Sequence, residues 1–180
     1  MKIMSKKYLV PICFGILFVC NSFISAQTLK LPYKDVGACP FECCTYREWT
    51  AKKETSLFKD MNSNSPVVFK VKKGGKVTGM TGVVITTVAG KAMVLSNYTS
   101  ETTNRKFKKG DVLSLLTYLG EGYYRVWQKG KFFEAPIDAD DHFKILSQPK
   151  SVWWVKIKNR KGQIGWTKLA DNFDNKDACG

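Results

Sequence analysis

The sequence predicts an all-β fold, and three observations carry that prediction. Short runs rich in Val, Thr, Ile and aromatic residues recur along the chain. Glycines, alone or in pairs, separate those runs at intervals of about 8–12 residues, the spacing of strands in small barrels and sandwiches. No stretch sustains the three-to-four-residue apolar period of an amphipathic helix of useful length.

The chain opens with an export signal. Lys2, Lys6 and Lys7 give a positive start, residues 8–20 are almost wholly apolar, and residues 21–26 turn polar and end on Ser25 and Ala26. That order is the pattern of a cleaved secretory signal peptide over 1–26. The apolar run is shorter than the roughly 20 residues a spanning helix needs, and no later run is longer. Val19 stands where a small residue would precede a lipidated Cys20, which disfavours a lipoprotein. Cleavage after Ala26 leaves 154 of the 180 residues and, with three lysines gone, lowers the formal charge from +14 to +11. The mature product is expected to be periplasmic or secreted and not a transmembrane protein.

Of six cysteines, Cys13 and Cys20 lie in the signal, and Cys39, Cys43, Cys44 and Cys179 remain. An even number in an oxidising compartment reads as disulfides. Four cysteines allow three pairings. A bond between the neighbours Cys43 and Cys44 would force a strained ring, so each is expected to have a distant partner. The attractive arrangement ties the 39–44 cluster to Cys179. The CxxxCC spacing does not match the knuckles of zinc sites, so no metal is assigned.

Residues 27–48 carry two prolines and three cysteines without a sustained period, and read as an irregular Cys-rich lead-in. From Trp49 the pattern becomes β: WTAKKETSLF, the turn cluster MNSNSP, then VVFKVKK. Gly74-Gly75 is a tight hairpin signal, KVTGMTGVVITTV follows, and Gly90 interrupts before KAMVLSNY. Residues 49–100 are therefore one expected domain. The polar run 99–105 is a linker or a long loop. Residues 106–170 form the second expected domain, with Gly110, Gly120, Gly122 and Gly130 as its turns. Residues 136–149 read as an insertion loop with room for one helical turn. SVWWVKIKNRKGQIGWTKL is a final hairpin with its tip at 159–162, and 171–180 is a tail bearing Cys179.

Two stretches resemble bacterial SH3-like (SH3b) domains. One is Lys109-Gly110-Asp111 followed by VLSLL. The other is Trp153-Trp154-Val155-Lys156 followed by Gly162, Gly165 and Trp166, similar to the closing hairpin of that family. Glycines permit the tight backbone such a hairpin needs at its corners, and tryptophans fill a core too small to close with aliphatics. The resemblance covers 107–169 well, and 46–100 weakly through VFKVKKGGKVTGMTG. It implies two SH3-like barrels in tandem. It also implies a targeting or binding module of the bacterial envelope, acting on peptidoglycan, peptides or partner proteins. The 135–150 stretch is longer than a minimal barrel of this family carries.

The catalytic inventory is short. His142 is the single histidine, and the GxSxG, HExxH and GxxxxGK[ST] patterns are missing. His142 reads as a loop residue, and Asp138, Asp140 and Asp141 as a solvated acidic loop without the spacing of a calcium site. Aromatics crowd the second block. Tyr118, Tyr124, Trp127, Trp153, Trp154 and Trp166 are the candidate ligand-binding rings, because alternation along a strand turns one ring of each adjacent pair outward. Lysines spaced two apart, as in Lys70/Lys72 and Lys156/Lys158, share a strand face and attract anionic polymers; Lys156 and Lys158 join the candidate site.

These features together predict an exported, non-catalytic binding module that takes a peptide or an anionic cell-wall polymer, with no cofactor. Nucleic acid is not expected outside the cell. A structural or accessory subunit of an envelope protein complex is the alternative, and a Cys/His-dependent enzyme the third. A basic-rimmed groove favours the first, and a broad exposed apolar patch the second.

Overall fold

A computed structural model describes residues 27–101, 103–137 and 141–179. The signal-peptide residues, and Asp138 and Asp140 of the acidic loop, lie outside the described residues. The fold is all-β, with one 3-10 turn at Ala170–Asn172 and no α-helix among the described residues. No helix there is long and apolar enough to cross a membrane.

The strands in chain order are β1 (Tyr33–Val36), β2 (Glu48–Ala51), β3 (Thr55–Phe58), β4 (Val67–Val71), β5 (Lys76–Val88) and β6 (Gly90–Val94). There follow β7 (Tyr98–Thr99), β8 (Lys106–Phe107), β9 (Val112–Gly120), β10 (Tyr123–Gln128) and β11 (Lys131–Pro136). The last are β12 (Phe143–Ser147), β13 (Lys150–Lys158), β14 (Ile164–Thr167) and β15 (Phe173–Asp174).

The outer sheet runs β15-β2-β5-β13-β14-β3-β4, with β1 added beside β5. Its centre is β5, whose Val, Thr and Ile residues suit a long pleated strand. One edge of β5 pairs with β2 through Glu48↔Thr78 and with β1 through Asp35↔Val84. Its other edge pairs with β13 from Thr78↔Lys158 to Val88↔Lys150. The sheet curls as a half-barrel. Reciprocal hydrogen bonds of Ala51 with Gly74 and Gly75, 2.7 and 2.9 Å, tie the β4–β5 turn to the end of β2.

The inner sheet, β11-β10-β9-β6-β12, lies wholly between β5 and β13 in the chain. This arrangement corrects the expected tandem. The break at 99–105 does not separate two sheets, because β13 and β14, from the second block, complete the sheet begun by the first. Thr99 and Lys106 instead pair across the small β7–β8 hairpin, and Ser100 beside them is buried. The 136–149 stretch supplies β12, paired with β6, rather than a helical turn among its described residues. The lead-in and the tail are also ordered parts of the outer sheet, through β1 and β15.

Each sheet has its own core. Trp49, Leu57, Val77, Val155, Ile157 and Phe173 are fully or nearly fully buried in the outer one. Leu113, Leu115, Val126, Ile137, Phe107 and Phe143 fill the inner one. The two units meet where Thr86 Oγ1 donates 2.9 Å to the Leu116 carbonyl, both residues being inaccessible to solvent. That bond satisfies a hydroxyl whose unpaired burial would cost about 1–3 kcal/mol.

Two disulfides close the ends of the chain. Cys43–Cys179 joins residues 136 apart, as the tie of the cluster to Cys179 required. Cys44 departs from the expectation of a distant partner and bonds Cys39, five residues back. The reason is local: the chain reverses at 39–44, with Cys44 N donating to Phe41 O at 3.3 Å, which brings the two α-carbons to 5.5 Å.

Candidate binding site

The eight candidate ligand residues do not converge. Tyr124 faces the inner core, 6% exposed, and its hydroxyl donates to Gln148 Oε1 at 3.0 Å. Tyr118 is exposed and rests edge-on against Tyr124 with centroids 5.2 Å apart. Alternation along β13 sends Trp153 to the outer core with Val155 and Ile157, and Trp154 to the opposite face, where it is 5% exposed. Tyr124 and Trp154 are therefore structural residues rather than a ligand platform.

Trp153 is covered by the Cys-rich lead-in that sequence reading treated as irregular. Phe41 meets it edge-on at 5.9 Å, and Tyr46 and Trp49 lie 6.4 Å away. The Tyr46 hydroxyl donates to the Ala38 carbonyl. Burial raises the Tyr46 pKa to about 12, opposed by the neighbouring Trp153 side chain, so this hydroxyl remains a donor at neutral pH. On the outer face, Trp166 sits across from Lys156 in the β13–β14 register, with the ammonium 5.6 Å from the ring centroid. Lys158 is apart from these, in a small cleft with Glu48, Lys76 and Arg160.

Two candidate rings line sizeable depressions: Trp153 one of about 590 Å³ beside Phe41 and the acidic Asp171, Asp174 and Asp177, and Trp127 one walled by further rings. The Lys129-Gly130 turn of the β10–β11 hairpin has positive φ at both positions, 49° and 83°, as a two-residue hairpin with matched twist requires. The resulting register sets Trp127 directly opposite Phe132, so both rings emerge on one face. Tyr33 of β1 stacks on Phe132, with centroids 5.1 Å apart and planes 19° from parallel. Together with Thr28 and Pro32 these rings wall a crevice of about 640 Å³, with Lys30 and Lys34 also on its lining. Phe132 is 51% exposed, an unusual position for so apolar a side chain.

The crevice is held by charge as well as by stacking. Arg125 on β10 reaches the largely buried Asp35 of β1 at 3.4 Å and Glu134 of β11 at 3.0 Å, tying the three strands that carry the rings. Burial, aided by the Asp35 carboxylate and opposed by Arg125, raises the Tyr33 pKa, so its phenol stays a neutral donor at neutral pH. Sequence reading found Trp127 but missed Tyr33, Phe132 and Pro32, because their proximity depends on β1 crossing to the far end of β5. The adjacent pair Phe132-Phe133, flanked by lysine and glutamate, was the available signal: alternation turns Phe133 to the inner core and Phe132 outward.

His142 makes a 2.8 Å hydrogen bond through Nδ1 with Ser96 Oγ, and its ring stacks on Tyr98 at 4.2 Å. This joins β12 to the segment after β6. All four described cysteines are in disulfides, so none of them offers His142 a free thiol. Comparison with known proteins finds no matching family model, no matching curated protein and no matching solved structure.

Proposed function

We propose that this chain is an exported binding module that grips an extended peptide or cell-wall polymer in the crevice between β1 and the β10–β11 hairpin. The carrying observation is the wall of Tyr33, Phe132 and Trp127, with Lys30 and Lys34 beside it. Flat rings offer contact area to prolines or sugar faces at little entropic cost, and the lysines steer anionic groups toward them. The two disulfides suit the oxidising compartment to which the N-terminal signal would deliver the chain.

The bacterial SH3-like resemblance is retained in altered form. Of the stretches that carry it, KKGGKVTGMTG and WWVKIK with GQIGW become neighbours when 46–88 and 150–174 are taken as one barrel with 90–147 inserted, whereas Lys109-Gly110-Asp111 with VLSLL falls in β9 of the inserted sheet. This adjacency supports the reading, because a barrel's strands must pair wherever they lie in the chain. The accessory-subunit reading has its own support in edge strand β12, where Ile145 and Leu146 are exposed and one row of backbone groups is free to pair.

The test is titration of the 27–180 protein with soluble peptidoglycan fragments, followed by tryptophan fluorescence and calorimetry. Trp127→Ala and Phe132→Ala are each expected to weaken binding about tenfold while shifting the melting temperature little, since both rings are partly exposed. Saturable binding unchanged by both substitutions would remove the crevice from the proposal.

A further inference from the structure

We propose a second site, a phosphate-binding groove on the outer sheet, between the β4–β5 turn and the β13–β14 turn. It is independent of the ring crevice and rests on different residues. The groove has a volume of about 420 Å³ and is lined by Lys70, Lys72, Lys76, Arg160 and Lys161, with Asn159 between the two groups. Among the described residues no acidic side chain lines it, though Glu48 and Glu54 pair with two of its lysines from outside.

The curl of the sheet assembles this set. The end of β4 comes back over the start of β5, and the antiparallel register Lys158↔Thr78 brings the tip of the β13–β14 hairpin beside them. Five cations from three stretches of chain thereby share one concave surface. Two are already compensated: Lys76 by Glu48 at 2.7 Å, and Lys70 by Glu54 at 3.7 Å. Lys72, Arg160 and Lys161 have no ion-pair partner among the described residues, which leaves a local charge near +3.

Both turns are fixed in advance of any ligand. Asn159 Oδ1 accepts from the Lys161 and Gln163 amides at 2.9 and 3.0 Å, and its Nδ2 donates to Gln163 Oε1 at 2.8 Å. Gly75 N donates to Lys72 O at 2.9 Å, closing the other turn. The backbone carrying these cations therefore need not be ordered on binding, and only side-chain freedom is lost.

The charge density indicates the ligand class. A carboxylate brings one negative charge, whereas a phosphate monoester brings about 1.5–2 and three acceptor oxygens. Two closely spaced phosphate groups match three free cations in so small a groove, and the planar guanidinium of Arg160 suits bidentate contact with one of them. The ligand is accordingly a molecule bearing paired phosphates.

Calorimetric titration of the 27–180 protein with inorganic pyrophosphate and tripolyphosphate, at about 0.15 M ionic strength, tests this. The triple variant Lys72→Gln, Arg160→Gln, Lys161→Gln is expected to bind at least about tenfold more weakly. The control Lys91→Gln, Lys108→Gln, Lys144→Gln removes the same charge from exposed positions outside the groove, and is expected to change affinity less than about twofold. All six side chains are exposed, so both variants should melt like the parent. Equal losses in the two variants would overturn the proposal by reducing the effect to net charge. So would the lack of saturable binding to the parent protein, or equally tight binding of polyglutamate matched in total charge.

Discussion

Gly79 and Gly82 on β5 show how single residues shape this molecule. A β-carbon on Gly79 would lie 2.7 Å from the Trp49 ring, and one on Gly82 would lie 2.2 Å from Trp153 Nε1 and 2.3 Å from the Tyr46 hydroxyl. These glycines are gaps into which aromatic rings settle, and their β-region backbone imposes no need for glycine by itself. Gly82→Ala should therefore destabilise by about 1–3 kcal/mol through overpacking, read from urea unfolding, with the Tyr46 to Ala38 hydrogen bond disturbed. Gly74→Ala provides the contrast: nothing lies within 4 Å of its β-carbon, and its cost comes from a φ of +79°. The candidate rings follow the same logic. Trp153 and Trp154 are indistinguishable as letters, and alternation separates their faces, but only the fold brings Phe41 and Tyr46 of the lead-in over Trp153.

At the level of elements, the two disulfides do unequal work. Cys43–Cys179 joins the lead-in to the tail across 136 residues, and β15 pairing with β2 places Phe173 in the core beside Trp49. In the chain-entropy model a loop of that size contributes about 5 kcal/mol, against about 2 for the short Cys39–Cys44 loop. Replacing Cys43 and Cys179 together by serine should thus lower the urea midpoint markedly more than replacing Cys39 and Cys44. Comparable midpoints would show that β15 holds the tail without covalent help. The even cysteine count and the link to Cys179 were legible from residue number alone. The Cys39–Cys44 bond was not, because it depends on a chain reversal that has no glycine to announce it.

On the scale of the whole molecule, one unit is inserted into another. The outer sheet cannot be completed without β13 and β14, whose 150–167 segment is separated from β5 by the entire inner sheet. Val88 and Lys150 face each other in the β5–β13 register, so the insertion leaves and returns at one place. A fragment of residues 27–100 should therefore fail to fold, showing no near-ultraviolet dichroism. A chain with 90–147 replaced by a two-residue turn should retain the outer core and both disulfides. Folding of the isolated 27–100 fragment would instead restore the tandem arrangement.

Local chemistry was enough for the all-β class, most strand positions, the hairpin glycines and the supply of cysteines, lysines and rings. Each of these follows from it: β-branched runs, positive φ at turns and alternation along a strand. Tertiary structure alone decided which strands are neighbours. Pairing between β5 and β13 is set by backbone hydrogen bonds and core packing across more than sixty residues, with no local mark in either strand. That choice converts the expected tandem into a nested pair and sets the β13–β14 tip beside the β4–β5 turn, which makes the basic groove, while the pairing of β1 with β5 brings Tyr33 to the ring crevice. Both depressions are walled by residues far apart in the chain, so their composition was readable in advance while their location depended on the fold.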